Sequence, residues 1–360
     1  MSSPNIVQAI HATVTSKIVP AVPKKWLQQF TFGFQAYGLK PFQSAAGNAR
    51  SVIANSTTAS TKADRTLANK RLGDHFGTLF DQLRLVKSSS FVSVDHSDMH
   101  GLTALVGAIQ TRKGRSVPCF VETTYALQIP ADSPSPSKQK LRRAMVAARR
   151  TQSFTGHTID SLQSFADRLG FWPKLVFDRG FGSESIIEHL HSQEATLYIR
   201  MKAGRYVELV DPDTDEITRV EIKQLKEKDT TIQLFGLTLR VIRSPKSRRA
   251  KEPWYILTND FNSSRNRIVK VYYHRFEIEE TFRDIKHIFE YKRTRLYKPN
   301  SLKILLWFVC LGIALLYLAT QPTNLQLYSS NSKKQSSWLR QAYEQYQRAC
   351  GSLVWAERSG

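Results

Sequence analysis

Three carboxylates and a group of cations in this chain have the types and spacing that phosphoryl-transfer chemistry requires. The stretch from Tyr272 to Lys286 reads Y-Y-H-R-F-E-I-E-E-T-F-R-D-I-K. Projected on a helix at about 100° per residue, Tyr272, Arg275, Glu279 and Lys286 fall within an arc of about 60°. One carboxylate therefore lies between two cations and a phenol on a single stripe. Far upstream, Asp95 follows the apolar run Phe91-Val92-Ser93-Val94, and Asp178 follows Lys174-Leu175-Val176-Phe177. Two strand-terminal aspartates and one helical glutamate in a basic chain make the donor set that a hard divalent cation needs. Mg²⁺ prefers carboxylate oxygen, and two ions roughly 3.5–4 Å apart can activate a water or a 3′-hydroxyl while neutralising the leaving oxygen. Taken singly, each residue has a plainer reading. Strand-terminal aspartates cap turns, and a helical Glu and Lys balance charge on a solvated flank.

The elements that must position these groups can be read from hydrophobic periodicity. Ile278, Phe282, Ile285 and Phe289 form an apolar stripe beside the charged one, as on a helix packed against a sheet. That helix is expected from near Ser264 to about Lys292. Glu280 points about 100° away from Glu279 on it. Strands are expected at Phe91–Val94, Leu102–Ile109 and Ser116–Val121, an antiparallel meander with Asp95 at the end of its first strand. Asp95 is preferred to His96 and Asp98 as the first ligand because it directly follows the apolar run. A Pro/Ser loop at 130–137 precedes a basic helix, Lys138–Arg150, and a further helix, Thr158–Leu169. Strand 174–177, the turn from Asp178 to Ser183, helix Glu184–His191 and strand Ala195–Met201 follow βαβ grammar. Residues 203–262 read as a β-rich insertion, with apolar pieces at Thr231–Ile242 and Trp254–Thr258. His100, His274 and His287 read as surface or DNA-facing residues rather than ligands.

Composition narrows the partner. The 360 residues carry 52 Lys and Arg against 30 Asp and Glu, a formal charge of +22 and a pI near 10.0. Such an excess points to a polyanion, nucleic acid or an anionic membrane, and away from small acidic metabolites. Cys119, Cys310 and Cys350 are far apart with no paired spacing, so neither a disulfide framework nor a cysteine zinc site is suggested, and a reducing, cytoplasmic compartment is expected. No continuous apolar segment marks a secretory signal at the N-terminus. The apolar run Ile304–Ala319 falls short of the roughly 20 residues that span a bilayer and reads as a buried helix, so no membrane partner is expected.

The order of these features resembles a known family. A three-strand meander carrying Asp95, a fourth strand ending in Asp178 and a late helix bearing Glu279 look like the RNase H-like (retroviral integrase) fold with its DDE triad. The spacing Tyr272-x2-Arg275-x3-Glu279-x6-Lys286 is similar to the Tyr-Arg-Glu-Lys signature of bacterial insertion-sequence transposases that cut and paste through a DNA hairpin. The resemblance covers roughly residues 90 to 320. It implies an α/β fold, a mixed sheet flanked by helices, with the β-rich insertion before the last catalytic helix. It further implies a DNA transposase that nicks element ends, forms hairpins and transfers strands with two Mg²⁺ ions, for which Mn²⁺ substitutes. Asp95, Asp178 and Glu279 would be the metal ligands and catalytic residues. Arg275 and Lys286 would grip phosphates flanking the scissile bond, and Tyr272 would position a 5′-terminal phosphate. Trp254 resembles the tryptophan that stacks on a flipped base, although a core aromatic explains it equally. Arg200 and Lys202 match strand-end cations that contact DNA, although a solvated strand end would carry them too. Implied partners are double-stranded DNA, as terminal inverted repeats and target, and a second copy of the chain on paired ends, in the bacterial nucleoid. A catalytically inactive DNA-binding descendant and a general RNase H-like nuclease are the rival functions.

On this reading residues 1–88 form a helical region, a candidate DNA-binding region or simple scaffold. Residues 89–202 and 263–322 form the catalytic core around the 203–262 insertion, and 323–360 form a basic tail.

Overall fold

The computed structural model describes residues 6–22, 70–99, 102–124, 154–211, 213–245, 252–289, 291, 299–321 and 337–358. The segments expected as a basic helix at 138–150 and a Pro/Ser loop at 130–137 lie outside the described residues, as does most of the N-terminal region. The helices are α1 (Ile6–Thr13), α2 (Lys70–Gln82), α3 (Phe154–Leu169), α4 (Glu184–Ser192), α5 (Arg265–Tyr273), α6 (Glu277–His287), α7 (Pro299–Ala319) and α8 (Trp338–Arg358). The strands are β1 (Phe91–Met99), β2 (Leu102–Ile109), β3 (Val117–Thr124), β4 (Lys174–Phe177) and β5 (Leu197–Met201). They continue with β6 (Tyr206–Val210), β7 (Ile217–Glu221), β8 (Asp229–Leu234), β9 (Leu237–Arg243) and β10 (Tyr255–Thr258). This is a mixed α/β chain, as the sequence led us to expect. It divides into two compact units, one built from 1–85, 96–151 and 277–360, the other from 86–95 and 152–276.

The second unit is strand-rich, in the order β1-β4-β5-β10-β9-β8-β6-β7. β1 runs parallel to β4, with Phe91 opposite Lys174 and Val94 opposite Phe177, and β4 runs parallel to β5. Leu175, Val176 and Phe177 are all buried, which is why β4 is a continuous apolar run rather than an alternating one. α4 makes the crossover between β4 and β5 and buries Ile186, Ile187 and Leu190. From β10 onward the pairing is antiparallel. The apolar piece Thr231–Ile242 proves to be a hairpin. Phe235 and Gly236 take φ of 55° and 71°, the left-handed pair that a two-residue turn between twisted strands requires.

A buried carboxylate fixes where α5 begins. Asp260 Oδ1 accepts hydrogen bonds from the backbone N–H of Asn262 (3.0 Å) and Ser263 (2.9 Å), and Oδ2 accepts from the Tyr198 hydroxyl (2.6 Å). Arg240 donates to the carbonyls of Asp260 and Ser263 and makes a two-armed pair with Asp229. Ser264 then caps α5 by accepting from Arg267 N–H. Burial acts to raise the Asp260 carboxyl, but the bonds from Ser263, Tyr198 and Asn262 together hold it below the usual range. Its contribution to stability is therefore present above the unfolded carboxyl range and is lost as pH falls through the lower folded value. Asp260→Asn is expected to cost roughly 2–3 kcal/mol near pH 7, because the bonds from Asn262 and Ser263 lose their charge assistance and the amide NH2 would face the Tyr198 hydroxyl donor. Urea unfolding should show the gap to wild type narrowing in acid, and a gap that is constant with pH would refute the assignment.

The first unit is organised by α7. Its residues from Ile304 to Leu311 are almost completely buried, and Trp307 stacks on Phe76 of α2 at 5.6 Å and meets Phe80 at 5.1 Å. Phe76, Leu79 and Leu83, spaced 3 and 4, are all buried, as on one face of a helix. α1, α8 and β3 also pack on α7. The window Leu302–Ala319 is long and apolar enough to cross a membrane, but 83% of it is buried inside the protein, as a core helix is.

Strand β1 continues past Asp95 to Met99 and so differs from the expected short strand. Its first part is buried on both faces beside β4, whereas beyond Asp95 burial alternates, with Ser97 and Met99 inward and Asp98 exposed. The change reflects a change of neighbours. Pairing with β4 stops at Val94, and the later residues belong with the β2–β3 hairpin in the first unit.

Candidate active site

In the second unit, two of the three expected carboxylates meet around one arginine. Asp95 and Asp178 stand one step beyond the last paired residues of adjacent parallel strands, Val94 and Phe177. Arg275 Nη1 donates to Asp95 Oδ2 at 3.0 Å, and Nη2 lies 4.0 Å from Asp178 Oδ1. The Tyr272 hydroxyl reaches the same Asp178 oxygen at 3.4 Å. Arg275 is only 2% exposed, and its guanidinium lies 4.6 Å from the centre of the Phe276 ring and 5.7 Å from that of Tyr272. Burial, countered by Arg275 and reinforced by the Asp178 charge, pushes the Tyr272 hydroxyl well up, so it remains a proton donor.

The continuous helix expected from Ser264 to Lys292 is divided. α5 ends at Tyr273, a 3₁₀ turn covers His274–Phe276, and α6 starts at Glu277. The tighter winding of that turn interrupts the even 100° progression expected along the stretch. The turn coincides with the aromatic and carboxylate contacts that hold Arg275.

In the first unit, α6 is held by a residue the sequence did not single out. Glu277, 6% exposed, accepts hydrogen bonds from three backbone N–H groups at the β2–β3 hairpin tip. These are Thr111 (2.9 Å), Arg112 (3.2 Å) and Gly114 (3.1 Å). One turn on, Thr281 bonds both the N–H and the carbonyl of Ser116, and Asp284 pairs with Arg115 at 2.6 Å. Burial raises the Asp284 carboxyl, with Arg115 opposing the shift. Glu277, Thr281 and Asp284 occupy an arc of about 60°, which leaves Glu279 and Lys286 on roughly the opposite side of the helix. Glu279 is exposed there, and Lys286 donates to Ser97 at 2.7 Å. Nothing in the sequence near Glu277 signals this anchor, because its partners are backbone groups over 160 residues away.

The remaining site residues cluster on β5 and β10. Arg200 is paired opposite Ile256 and, like Lys202, points from one face of β5. One step beyond the last paired positions, Tyr255 and Met201, come Trp254 and Lys202. Trp254 is half-buried and packs against Tyr272 and Phe276, each at 5.4 Å between ring centres. Among the described residues, no group of three or more His, Cys, Asp or Glu side chains is gathered as a metal site.

The βαβ run, the insertion and the Tyr272-to-Lys286 stretch lie in one continuous segment. Residues 140–315 match the transposase DDE domain family. The match covers just under half of the chain. It includes Asp178, Tyr272, Arg275, Glu279 and Lys286, and it begins after Asp95. It supports a DDE transposase, an enzyme class that acts on DNA and generally uses divalent metal ions, in keeping with the net charge of +22. No curated protein matches the chain.

Proposed function

We propose that this chain is an RNase H-like transposase of the Tyr-Arg-Glu-Lys signature group that moves an insertion sequence by nicking its ends, forming hairpins and joining the freed 3′ ends to target DNA. The observation that carries the proposal is the side-by-side placement of Asp95 and Asp178 on adjacent parallel strands, both facing the cation of Arg275. Two carboxylates one step beyond the paired stretch of neighbouring strands offer the oxygen donors that a hard divalent cation takes. Asp95, Asp178 and Glu279 would hold Mg²⁺, or Mn²⁺ in its place, which when bound supplies Lewis-acid activation of the attacking oxygen. The chain's own groups would do the rest. Lys286 and Arg275 would contact phosphates beside the scissile bond, Lys as a point charge and Arg as a fork. Tyr272, kept protonated, would donate a hydrogen bond toward the 5′-terminal phosphate. Trp254 would stack on a base near the cleaved end, and Arg200 and Lys202 would follow the backbone. Residues 1–88 would bind DNA, 89–202 and 263–322 would be the catalytic core, 203–262 the insertion and 323–360 a basic tail, with two copies on paired ends.

Purified full-length protein given Mg²⁺ and labelled element ends should cleave them, and Asp95→Asn and Asp178→Asn should each lower the rate by roughly a thousandfold or more. Unchanged cleavage by either variant would sink the assignment. Salt-sensitive DNA binding with no strand breakage would identify a non-catalytic descendant instead, and digestion of unrelated DNA a general nuclease.

A further inference from the structure

Arg275 carries a permanent charge and is nevertheless buried. Such a charge persists only where anions and ring faces replace water. Here they are Asp95 at 3.0 Å, Asp178 at 4.0 Å, and the Phe276 and Tyr272 rings. The carboxylates assigned above to metal thus already share a cation that belongs to the chain. A guanidinium and a divalent cation compete for the same carboxylate lone pairs, and Asp95 Oδ2 cannot serve both fully. The basic β5 strand end adds Arg200, close enough to act on the Tyr272 hydroxyl, so the positive field here is not Arg275's alone.

We propose that Arg275 is a positioning residue that occupies the Asp95–Asp178 pair as an internal counter-cation. Divalent metal loads only when the guanidinium releases Asp95. A DNA phosphate promotes that release by offering the guanidinium a replacement anion with the same two-armed geometry. Metal affinity is then low without DNA and rises with it, so metal loading is coupled to substrate arrival. This inference rests on the metal-binding reading of the previous subsection.

The test uses the full chain and Mn²⁺ alone as the probe, with free Mn²⁺ followed by electron paramagnetic resonance and melting temperature recorded in parallel. Without DNA, Arg275→Gln should bind Mn²⁺ roughly tenfold more tightly than wild type, since a competing charge-assisted contact is gone. Arg275→Lys, which keeps the charge, should stay near wild type. A duplex should tighten Mn²⁺ binding in wild type and leave Arg275→Gln unchanged, a difference that a merely structural arginine would not produce. If Arg275→Gln fails to fold, Phe276→Leu loosens the guanidinium from its ring and should tighten Mn²⁺ binding several-fold. Mn²⁺ binding that is lost in Asp95→Asn but equal or weaker in Arg275→Gln and Phe276→Leu overturns the counter-cation and leaves the metal site standing. Mn²⁺ binding that is insensitive to Asp95→Asn overturns both.

Discussion

Glu279→Gln is expected to lower Mg²⁺-dependent cleavage of element ends by roughly a thousandfold or more while the protein melts within about 2 °C of wild type. Glu279 is exposed on α6, and surface substitutions typically change stability by about 0.5 kcal/mol or less. Two residues earlier the same substitution should do the reverse. Glu277 is buried and accepts from three backbone N–H groups, so an amide there turns donors toward donors. Glu277→Gln should cost roughly 2–4 kcal/mol, and its cleavage rate should fall only with the folded fraction. Thermal melts beside single-turnover cleavage separate the two cases. Retained cleavage by Glu279→Gln would remove it from the metal site, and a wild-type melt for Glu277→Gln would show that the hairpin contact contributes little.

Trp307→Ala is expected to cost about 3–5 kcal/mol, the cost of deleting a fully packed aromatic. Trp307 is 2% exposed between Phe76 and Phe80, and alanine suits a helix, so the loss is one of packing rather than of helicity. Its indole N–H has no hydrogen-bond partner among the described residues, so Trp307→Phe should cost less than about 2 kcal/mol. Urea midpoints without detergent measure both. A tryptophan facing lipid would show no such graded series, so a flat response would also overturn the reading of α7 as a core helix.

How far the sequence was legible depended on the range of the forces involved. Asp178 was readable because Leu175-Val176-Phe177 is apolar throughout and then stops, a local signal of a strand buried on both faces. α7 was readable from its unbroken apolar run. Asp95 was found but its setting was not, because β1 outlives its pairing with β4 by taking a different neighbour, and nothing in F-V-S-V-D-H-S-D-M marks that exchange. The division between α5 and α6 was hidden for a similar reason. No proline or glycine interrupts the stretch, and the turn coincides with the contacts of Arg275 to a distant aspartate. Asp260 had a local signal that could have been used, since Asp-Phe-Asn-Ser-Ser before a helix is an Asx-turn and cap pattern.

The grip of Glu277 on the hairpin tip falls on main-chain N–H groups, and this sets what can drift. The side chains of Arg112 and Lys113 are not what the carboxylate reads, whereas the Thr111 hydroxyl also reaches it at 3.5 Å, so the letter at 113 can change while the angular setting of α6 survives. What cannot change freely is conformation, because Arg112 and Gly114 hold φ of 60° and 81°. A library randomised at Lys113 should therefore return many working sequences, whereas position 277 should return acids, 114 glycine or asparagine, and 111 threonine or serine, whose hydroxyl bonds the Arg115 carbonyl and accepts from Lys113 N–H. The orientation of the glutamate proposed for catalysis is stored in the shape of a loop rather than in its spelling.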